Sequence, residues 1–442
     1  MYWFATGIFI VAYALIISEK IHKTKVALFG AAVTLIGKIL DQQEAFHDID
    51  LGVDWNVIFL LISMMVMINI MTKTGVFQYV AIKCAKIAKG EPFRIMALFA
   101  VITALGSAFL DNVTTVLLLA PVTLLIAEQL EINPIPYLIT EALASNIGGT
   151  ATLIGDPPNI MIASKAGLNF MDFIVHLTPA IIIIFLFWML AWKIVFGKRL
   201  TVRDELKRRI MTMNEREQIR DPALLKKSLL ILGLTILGFM LHGFFHYEPA
   251  TVALMGAMTL FMLSDEEPAE ILAEVEWPTI FFFIGLFIII GGIVKVGLVE
   301  DLSRAMIAVT HPQPDDMTVL AMVMLWFSAI CSAIVDNIPF VATMNPILID
   351  LSNQVFGSAA TTAAQARTID PVWWALSLGA CLGGNGSPIG ASANVIVIGL
   401  SEKAGHNISF GQFLKYGLPT MFLTIVLSML YIYLRYYVLQ WF

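Results

Sequence analysis

Residues 107–121 read SAFLDNVTTVLLLAP, and residues 332–346 read SAIVDNIPFVATMNP. Asp111-Asn112 and Asp336-Asn337 sit at the same point of each stretch, 225 residues apart, and Pro121 answers Pro346. A carboxylate in the middle of a long apolar run is expensive in a membrane. Its duplication marks a built feature. The likeness spreads outward from these segments. Val26-Ala27-Leu28 with Gly30 matches Val252-Ala253-Leu254 with Gly256, and Asp54-Trp55 matches Glu276-Trp277. Lys73 and Gly75 match Lys295 and Gly297. Downstream, Gly148-Gly149, Gly155 and Asn159 match Gly383-Gly384, Gly390 and Asn394. The order of matches is preserved, so one unit of about 200 residues is present twice.

Composition places both units in a bilayer. The chain has 442 residues, 58% of them hydrophobic and 14% charged, against roughly 25% charged in average chains. Apolar stretches long enough to cross the hydrocarbon core recur throughout. Tyr2–Ser18 lacks a preceding basic region and a small-residue cleavage site, so it reads as a retained helix rather than a signal peptide. Cys84, Cys331 and Cys381 have no metal-type spacing and argue against a disulfide framework. A basic patch with interleaved aromatics is missing, which leaves nucleic-acid binding unsupported.

The expected crossings are 2–18, 25–41, 55–71, 135–165 and 172–195 in the first half. In the second they are 228–245, 249–263, 277–294, 371–403 and 411–436. Between the third and fourth crossing of each half, 93–130 and 317–351 are apolar stretches interrupted by Asp-Asn. That pattern suits a re-entrant helical hairpin, because non-helical backbone at membrane depth needs protein or water around it. Five crossings plus a hairpin make an odd count, so the second half must insert upside down. The expected fold is therefore an all-α polytopic membrane protein of two inverted-topology repeats. Each repeat has five crossings, a re-entrant hairpin and a broken helix. The expected divisions are 1–197, a basic linker 198–227, and 228–442. Residues 193–227 hold eleven Lys and Arg, including Lys207-Arg208-Arg209, and the segments 20–25 and 73–94 are lysine-rich, whereas 42–54 has acids alone. The positive-inside rule then puts the linker in the cytoplasm and both termini outside, as expected in a prokaryotic inner membrane. The acidic stretch 265–276 would also be inside, where the rule gives it no support.

Two constellations carry the chemistry. Asp111 and Asp336 at the tips can hold an ion or a proton, and each can also cap the helix that follows it. Thr114 and Thr115 add hydroxyls in the first copy, where Ile338-Pro339 stand in the second; Pro339 suits a first helical turn. The second constellation runs Asn146, Thr150, Thr152, Asp156, Asn159, with the counterparts Asn385, Ser387, Ser392 and Asn394. Paired glycines and prolines break each helix there. Freed carbonyls and hydroxyls coordinate hard cations, while freed helix N-termini attract anions. The alternative is a kinked helix with small residues for close packing. Asp156 and Glu141 have no acidic counterparts, facing Ala391 and Leu376, and either could carry a proton, be held in a salt bridge or sit at the interface. A soluble phosphate loop is a poor alternative, since no GxxxxGK[ST] occurs.

At these residues the chain resembles permeases of the ion transporter superfamily. LDNVTTVLLLAPVTLL, followed by NIGGTATLIGDPPNIMIASKAG, is similar to the group containing arsenite permeases, NhaD-type sodium/proton antiporters and the melanosomal P-protein, with most likeness to the P-protein branch. The resemblance implies a scaffold part and a transport part in each repeat, a homodimer, and elevator-like alternating access. Sodium-coupled dicarboxylate relatives carry Ser-Asn-Thr at the tips. Asp111-Asn112 and Asp336-Asn337 add negative charge there, which favours cations, protons or a neutral or metalloid solute over a dicarboxylate. The reading is a secondary transporter rather than an enzyme, with no cofactor beyond Na+ and/or H+ as coupling ion. Sodium/proton exchange ranks first, with Na+ expected at Asp111, Asn112, Asp336 and Asn337. Proton-coupled efflux of arsenite or another oxyanion is the alternative, and a passive ion channel the third.

Overall fold

The same series of helices occurs twice along the chain. A computed structural model describes residues 1–18, 20–197, 200–357 and 363–441. Lys198 and Arg199, at the expected start of the basic linker, lie outside the described residues. The first half runs α1 (Tyr2–Ser18), α2 (Lys23–Ile36), α3 (Gln42–His47), α4 (Trp55–Lys73), α5 (Val76–Ile87), α6 (Pro92–Phe109), α7 (Asn112–Gln129), α8 (Ile135–Gly149), α9 (Pro157–Ala166), α10 (Phe170–His176) and α11 (Thr178–Phe196). A linker helix α12 (Asp204–Thr212) follows. The second half runs α13 (Pro222–Phe245), α14 (Pro249–Leu263), α15 (Pro268–Ala273), α16 (Trp277–Lys295), α17 (Leu298–Thr310), α18 (Thr318–Ile334), α19 (Asn337–Phe356), α20 (Ala363–Gly383), α21 (Ser392–Lys403) and α22 (Phe410–Ile432). Helices α1 to α9 correspond in order to α13 to α21, and α10 with α11 to the longer α22, where Phe170, Phe173 and Pro179 match Phe410, Phe413 and Pro419.

Among the described residues, seven helices (α4, α6, α7, α11, α13, α16 and the last) are long and apolar enough to span a membrane. Their surroundings differ. Most of α4 and α16 is buried, so these helices form the interior of the scaffold. By contrast α11 and α13 expose Ile182, Leu186, Leu190, Leu230, Leu234 and Phe244. An apolar helix face that wide, left uncovered, matches a lipid solvent rather than water.

The halves are interlocked reciprocally. Helix α2 packs on α16 and α14 on α4, while α9 packs on α19 and α21 on α7. Each repeat thus completes the other. Their opposite orientation follows from what the helix ends touch. Glu91 and Glu131, at the open end of the α6–α7 hairpin, pair with Lys207 and with Arg203 and Arg209 of the linker. The C-terminus of α4 is on the same face, where the carbonyl of Thr74 accepts from the amide of Arg220. The equivalent end of α16 is on the other face, with Lys295 bound to Glu44 at 2.6 Å. On that face too, Asp350 of α19 meets Ser303 of α17, and Tyr2 donates to Asp301. Equivalent helices run antiparallel, which is the inverted repeat.

Among the described residues, the expected crossings 55–71, 172–195, 228–245, 277–294 and 411–436 fall on helices long enough to span, 2–18 and 249–263 on shorter apolar helices, and α6 and α7, the arms of the expected first re-entrant hairpin, are each span-long themselves. The stretch 25–41 ends its helix at Ile36 and turns into the capped helix α3, whose Asp41 and Glu44 form a capping box. The stretch 371–403 begins earlier, at Ala363, with Pro371 inside α20. The region 73–94, read only as a charged loop, contains α5. Ala81, Ile82 and Ala85 form its buried face, and Lys86 turns out to Glu215. Gly75 starts that helix at φ +79°, as Gly297 starts α17 at φ +86°, a conformation strained for any side chain. This explains the Lys-x-Gly match between repeats. The acidic stretch 265–276 sits on the linker face, where Glu266 and Glu270 pair with Lys73 at 2.8 and 3.1 Å. Paired acids can share a basic face, which is why loop charge alone read this segment poorly.

The linker face should be cytoplasmic. Thr212 is exposed on it. A cysteine introduced there should resist an impermeant maleimide added to intact cells and react after permeabilisation. Ready labelling from outside would reverse the orientation.

Candidate functional site

Both broken helices are built alike. In each, a glycine before the break faces a glycine after it. A Cβ on Gly149 would come within 2.6 Å of the Gly155 carbonyl oxygen, and one on Gly384 within 2.9 Å of the Gly390 oxygen. The preceding glycines pack on the hairpins: a Cβ on Gly148 would overlap Ala104 backbone, and one on Gly383 would overlap Ala329. Ala104 and Ala329 are themselves equivalent positions. An asparagine then bridges each break. Asn159 Nδ2 donates to the carbonyls of Thr150 and Thr152, and Asn394 Nδ2 donates to those of Gly384 and Ser387. The freed carbonyls are thereby satisfied within the protein, as buried backbone groups must be.

The two hairpin tips meet over this pair of breaks. Asp111 caps α7: Oδ1 accepts from the Thr114 amide at 2.8 Å and Oδ2 from the Thr114 hydroxyl at 2.5 Å. Asp336 caps α19 through the Ile338 amide at 3.1 Å. Both aspartates are therefore caps. Asp156 is different. It precedes α9 but accepts no cap hydrogen bond from it. Its carboxylate turns between the tips, where Asn112 Nδ2 donates at 3.2 Å and Asn337 Nδ2 at 3.4 Å. Asn112 Nδ2 also lies 3.4 Å from Asn146 Oδ1, and Asn146 Nδ2 donates to Asn385 and Asn394 at 2.9 and 3.1 Å. One hydrogen-bonded chain thus joins both tips and both breaks, with Asp156 at its acidic end.

A cavity of about 420 Å³ reaches this chain from the linker face. Of the residues expected at the site, Asp111, Asn112, Asp156, Asp336, Asn337 and Ser392 line it. Asn146, Asn159, Asn385 and Asn394 form a buried layer behind them. The threonines serve locally: Thr115 donates to the Asp111 carbonyl, Thr150 to that of Asn146, and Thr152 to that of Ala108. Ser387 Oγ and Asn385 Nδ2 are buried without a protein partner. Glu141 is apart from the cavity. It is buried between α8 and α7, accepting from Thr123 through one oxygen while the other has no partner.

Sequence reading passed over three groups here. Lys23, noted only as loop charge, binds Asp336 at 2.6 Å. Glu276 lines the same cavity. Cys381 is the structural counterpart of Asn146: its thiol lies 3.6 Å from Asn159 Oδ1, as Asn146 lies against Asn394. The repeat alignment carried the last signal. Nothing local to Lys23 announces a contact with a residue 313 positions away.

On the opposite face, the pseudo-equivalent crevice between α4, α9, α13 and α14 holds about 400 Å³. It ends on Leu153 and Ile160 and does not reach the tips.

Residues 13–379 match the family model described as "Citrate transporter" (CitMHS). The chain belongs to that family. It is 45% identical over 435 residues to an uncharacterised transporter of Mycobacterium tuberculosis, spanning 98% of this chain and 99% of that one. It is 32% identical over 513 aligned positions to the human P protein, spanning 99% of this chain and 60% of the P protein. Among solved structures, the Neisseria gonorrhoeae MtrF transporter, one of "a class of antimetabolite efflux pumps", aligns with a TM-score of 0.58 at 11% identity, covering 92% of this chain and 84% of that one. The Alcanivorax borkumensis YdaH transporter aligns at 0.53 with 13% identity, covering 85% and 84%. These two share the fold. The protein is a membrane transporter, as its family is, and not an enzyme.

The glycine geometry predicts a stability contrast. Gly148→Ala should destabilise the folded protein by about 1–3 kcal/mol, the usual effect of overpacking. Gly233→Ala, with nothing within 4 Å, should be neutral or slightly stabilising. Thermal unfolding in detergent measures both; equal melting temperatures would mean the breaks tolerate side chains.

Proposed function

We propose that this member of the family is a secondary active transporter that exchanges sodium for protons by alternating access. The hairpins and broken helices would move together against α1, α2, α4 and their counterparts. The observation that carries this reading is Asp156. Its carboxylate caps no helix, lines a cavity that reaches the linker face, and is held by two side-chain amides at 3.2 and 3.4 Å with the Cys381 thiol beside it. Such a group can exchange a proton for a hard cation without dismantling a helix terminus.

The helix N-termini argue in the same direction. Those of α7, α9, α19 and α21 converge at the cavity, and helix N-termini attract anions. Here Asp111 and Asp336 already occupy two of them as caps. The protein supplies its own anions, and with Asp156 and Glu276 also present, a polyanion such as the citrate in the family's description meets repulsion. A cation or proton meets attraction. Lys23 on the cavity wall supports a second reading, proton-coupled efflux of arsenite or another small oxyanion.

Sodium-driven proton movement in proteoliposomes, with the membrane potential clamped, tests the first reading. Asp156→Asn should abolish it while the protein stays folded. Asp111→Asn should reduce sodium affinity more than Asp336→Asn, because Asp336 already holds a lysine. A proton and sodium competing for the same carboxylates also fix the sign of the pH effect. Raising pH removes the competitor, so apparent sodium affinity should rise until the carboxylates are fully ionised, and sodium binding should release protons. Arsenite flux with no sodium response would replace sodium exchange by the second reading. Gradient-independent conductance at channel rates would sink both.

A further inference from the structure

Lys23 is the first residue of α2, and its ammonium contacts both moving pieces of the second repeat. It lies 2.6 Å from Asp336 Oδ2 at the hairpin tip and 3.0 Å from Ser392 Oγ at the start of α21. Ser392 Oγ in turn donates to the same carboxylate oxygen at 3.1 Å. The lysine is anchored on the scaffold side. Its ammonium sits 5.1 Å from the ring centroid of Phe282 on α16, and the neighbouring Thr24 donates to the Pro278 carbonyl at 2.7 Å. The pair is largely shielded, with side chains 28% and 12% exposed. The repeat exposes the asymmetry. Lys23 corresponds to Pro249 and Asp336 to Asp111, so the same contact cannot form on the opposite face. There Asp111 turns to Thr114 instead. Around Lys23 the cavity also presents Glu276, Asp111, Asp156 and His22. Asp336 is nevertheless the carboxylate within ion-pair distance.

We propose that Lys23 is a one-sided latch: a tethered cation that binds Asp336 and Ser392 and holds the transport part against the scaffold while the cavity is open to the linker face. The inference rests on the alternating-access reading, because a latch needs a part that moves. Release frees the second tip and allows the crevice bounded by α4 and α9 to open. An ion pair present in one of two states shifts the balance toward that state.

The test reads the position of the equilibrium. Leu60 lines the far-face crevice, which stops short of the tips, and is buried. Leu60→Cys, in a background with Cys84→Ala and Cys331→Ala, reports opening by its rate of maleimide labelling. The protein is held in nanodiscs, where both faces are exposed to reagent. The background without Leu60→Cys gives the blank from buried Cys381. Lys23→Gln should raise the labelling rate several-fold without lowering the melting temperature in proportion, and Lys23→Arg should return it toward the starting value. Ser392→Ala, which removes one of the two contacts, should give a smaller rise in the same direction, and serves if Lys23→Gln does not fold. An unchanged rate in the folded variants overturns the latch. Sodium-driven proton flux is measured on the same preparations. Flux without a labelling change removes the latch and leaves the exchange reading standing. A labelling change without flux keeps the latch and removes sodium as the ion.

Discussion

Four helices begin inside this protein rather than at its surface. Everything distinctive about the structure answers the problem that creates. The first amides of α7, α9, α19 and α21 have no intrahelical acceptors, and in a bilayer no water is at hand to replace them. Asp111 and Asp336 answer at the hairpin tips by capping. At the breaks the carbonyls before each break are left open too, and Asn159 and Asn394 answer those, each donating from its own helix back across the break. Glycine pairs let those breaks close tightly enough for the asparagines to reach. Polar residues, glycines and prolines that look scattered along the sequence are one set of solutions to one constraint.

The same arrangement leaves a chemical remainder. Once the caps and bridges are assigned, Asp156 is a carboxylate that caps no helix and only joins the two tips through Asn112 and Asn337, and its counterpart Ala391 shows that the break itself does not require an acid there. The repeats agree on architecture and disagree at Asp156, at Lys23 and at Asn146 against Cys381. Symmetric residues build the break; on the proposed reading, the asymmetric residues set what it binds and which face it favours. This division separates packing from chemistry without any appeal to which residues other proteins keep.

Much of the fold was legible because the repeat was. Two Asp-Asn tips, two glycine-rich breaks and the order of matches between them implied hairpins, broken helices and inversion, and the helix ends bear out that topology. What escaped was amphipathic or tertiary. Helices α5 and α17 have a single buried face and too much charge to read as spans, and the capped helix α3 is too short to show a period. The site was legible as a list but not as a layout. Asp111 and Asp156 both read as candidate ion ligands, yet only the structure shows that one is a cap and the other is not. The threonines read as ligands because hydroxyls suit cations; in place, Thr115 and Thr150 donate to the carbonyl one turn back, a local bond that sequence permits at any helical threonine.

Under the proposed exchange of sodium for protons, ion selectivity would follow from how the remaining charges are shared. The cavity carries Asp111, Asp156, Asp336 and Glu276 against Lys23, with His22 near its mouth. Lys23 binds one of these acids and Thr114 engages another, so the charge left for a mobile ion is concentrated at Asp156 and its two amides. The N–H groups of Asn112 and Asn337 point at that carboxylate and cannot also serve a cation, but their Oδ1 atoms can. An ion entering between the tips would meet one carboxylate and two amide oxygens, drawn from both repeats. A site assembled from both hairpins is intact only while the tips stay together. That ties ion occupancy to the relative position of the two halves, which is the coupling a carrier needs and an open pore does not.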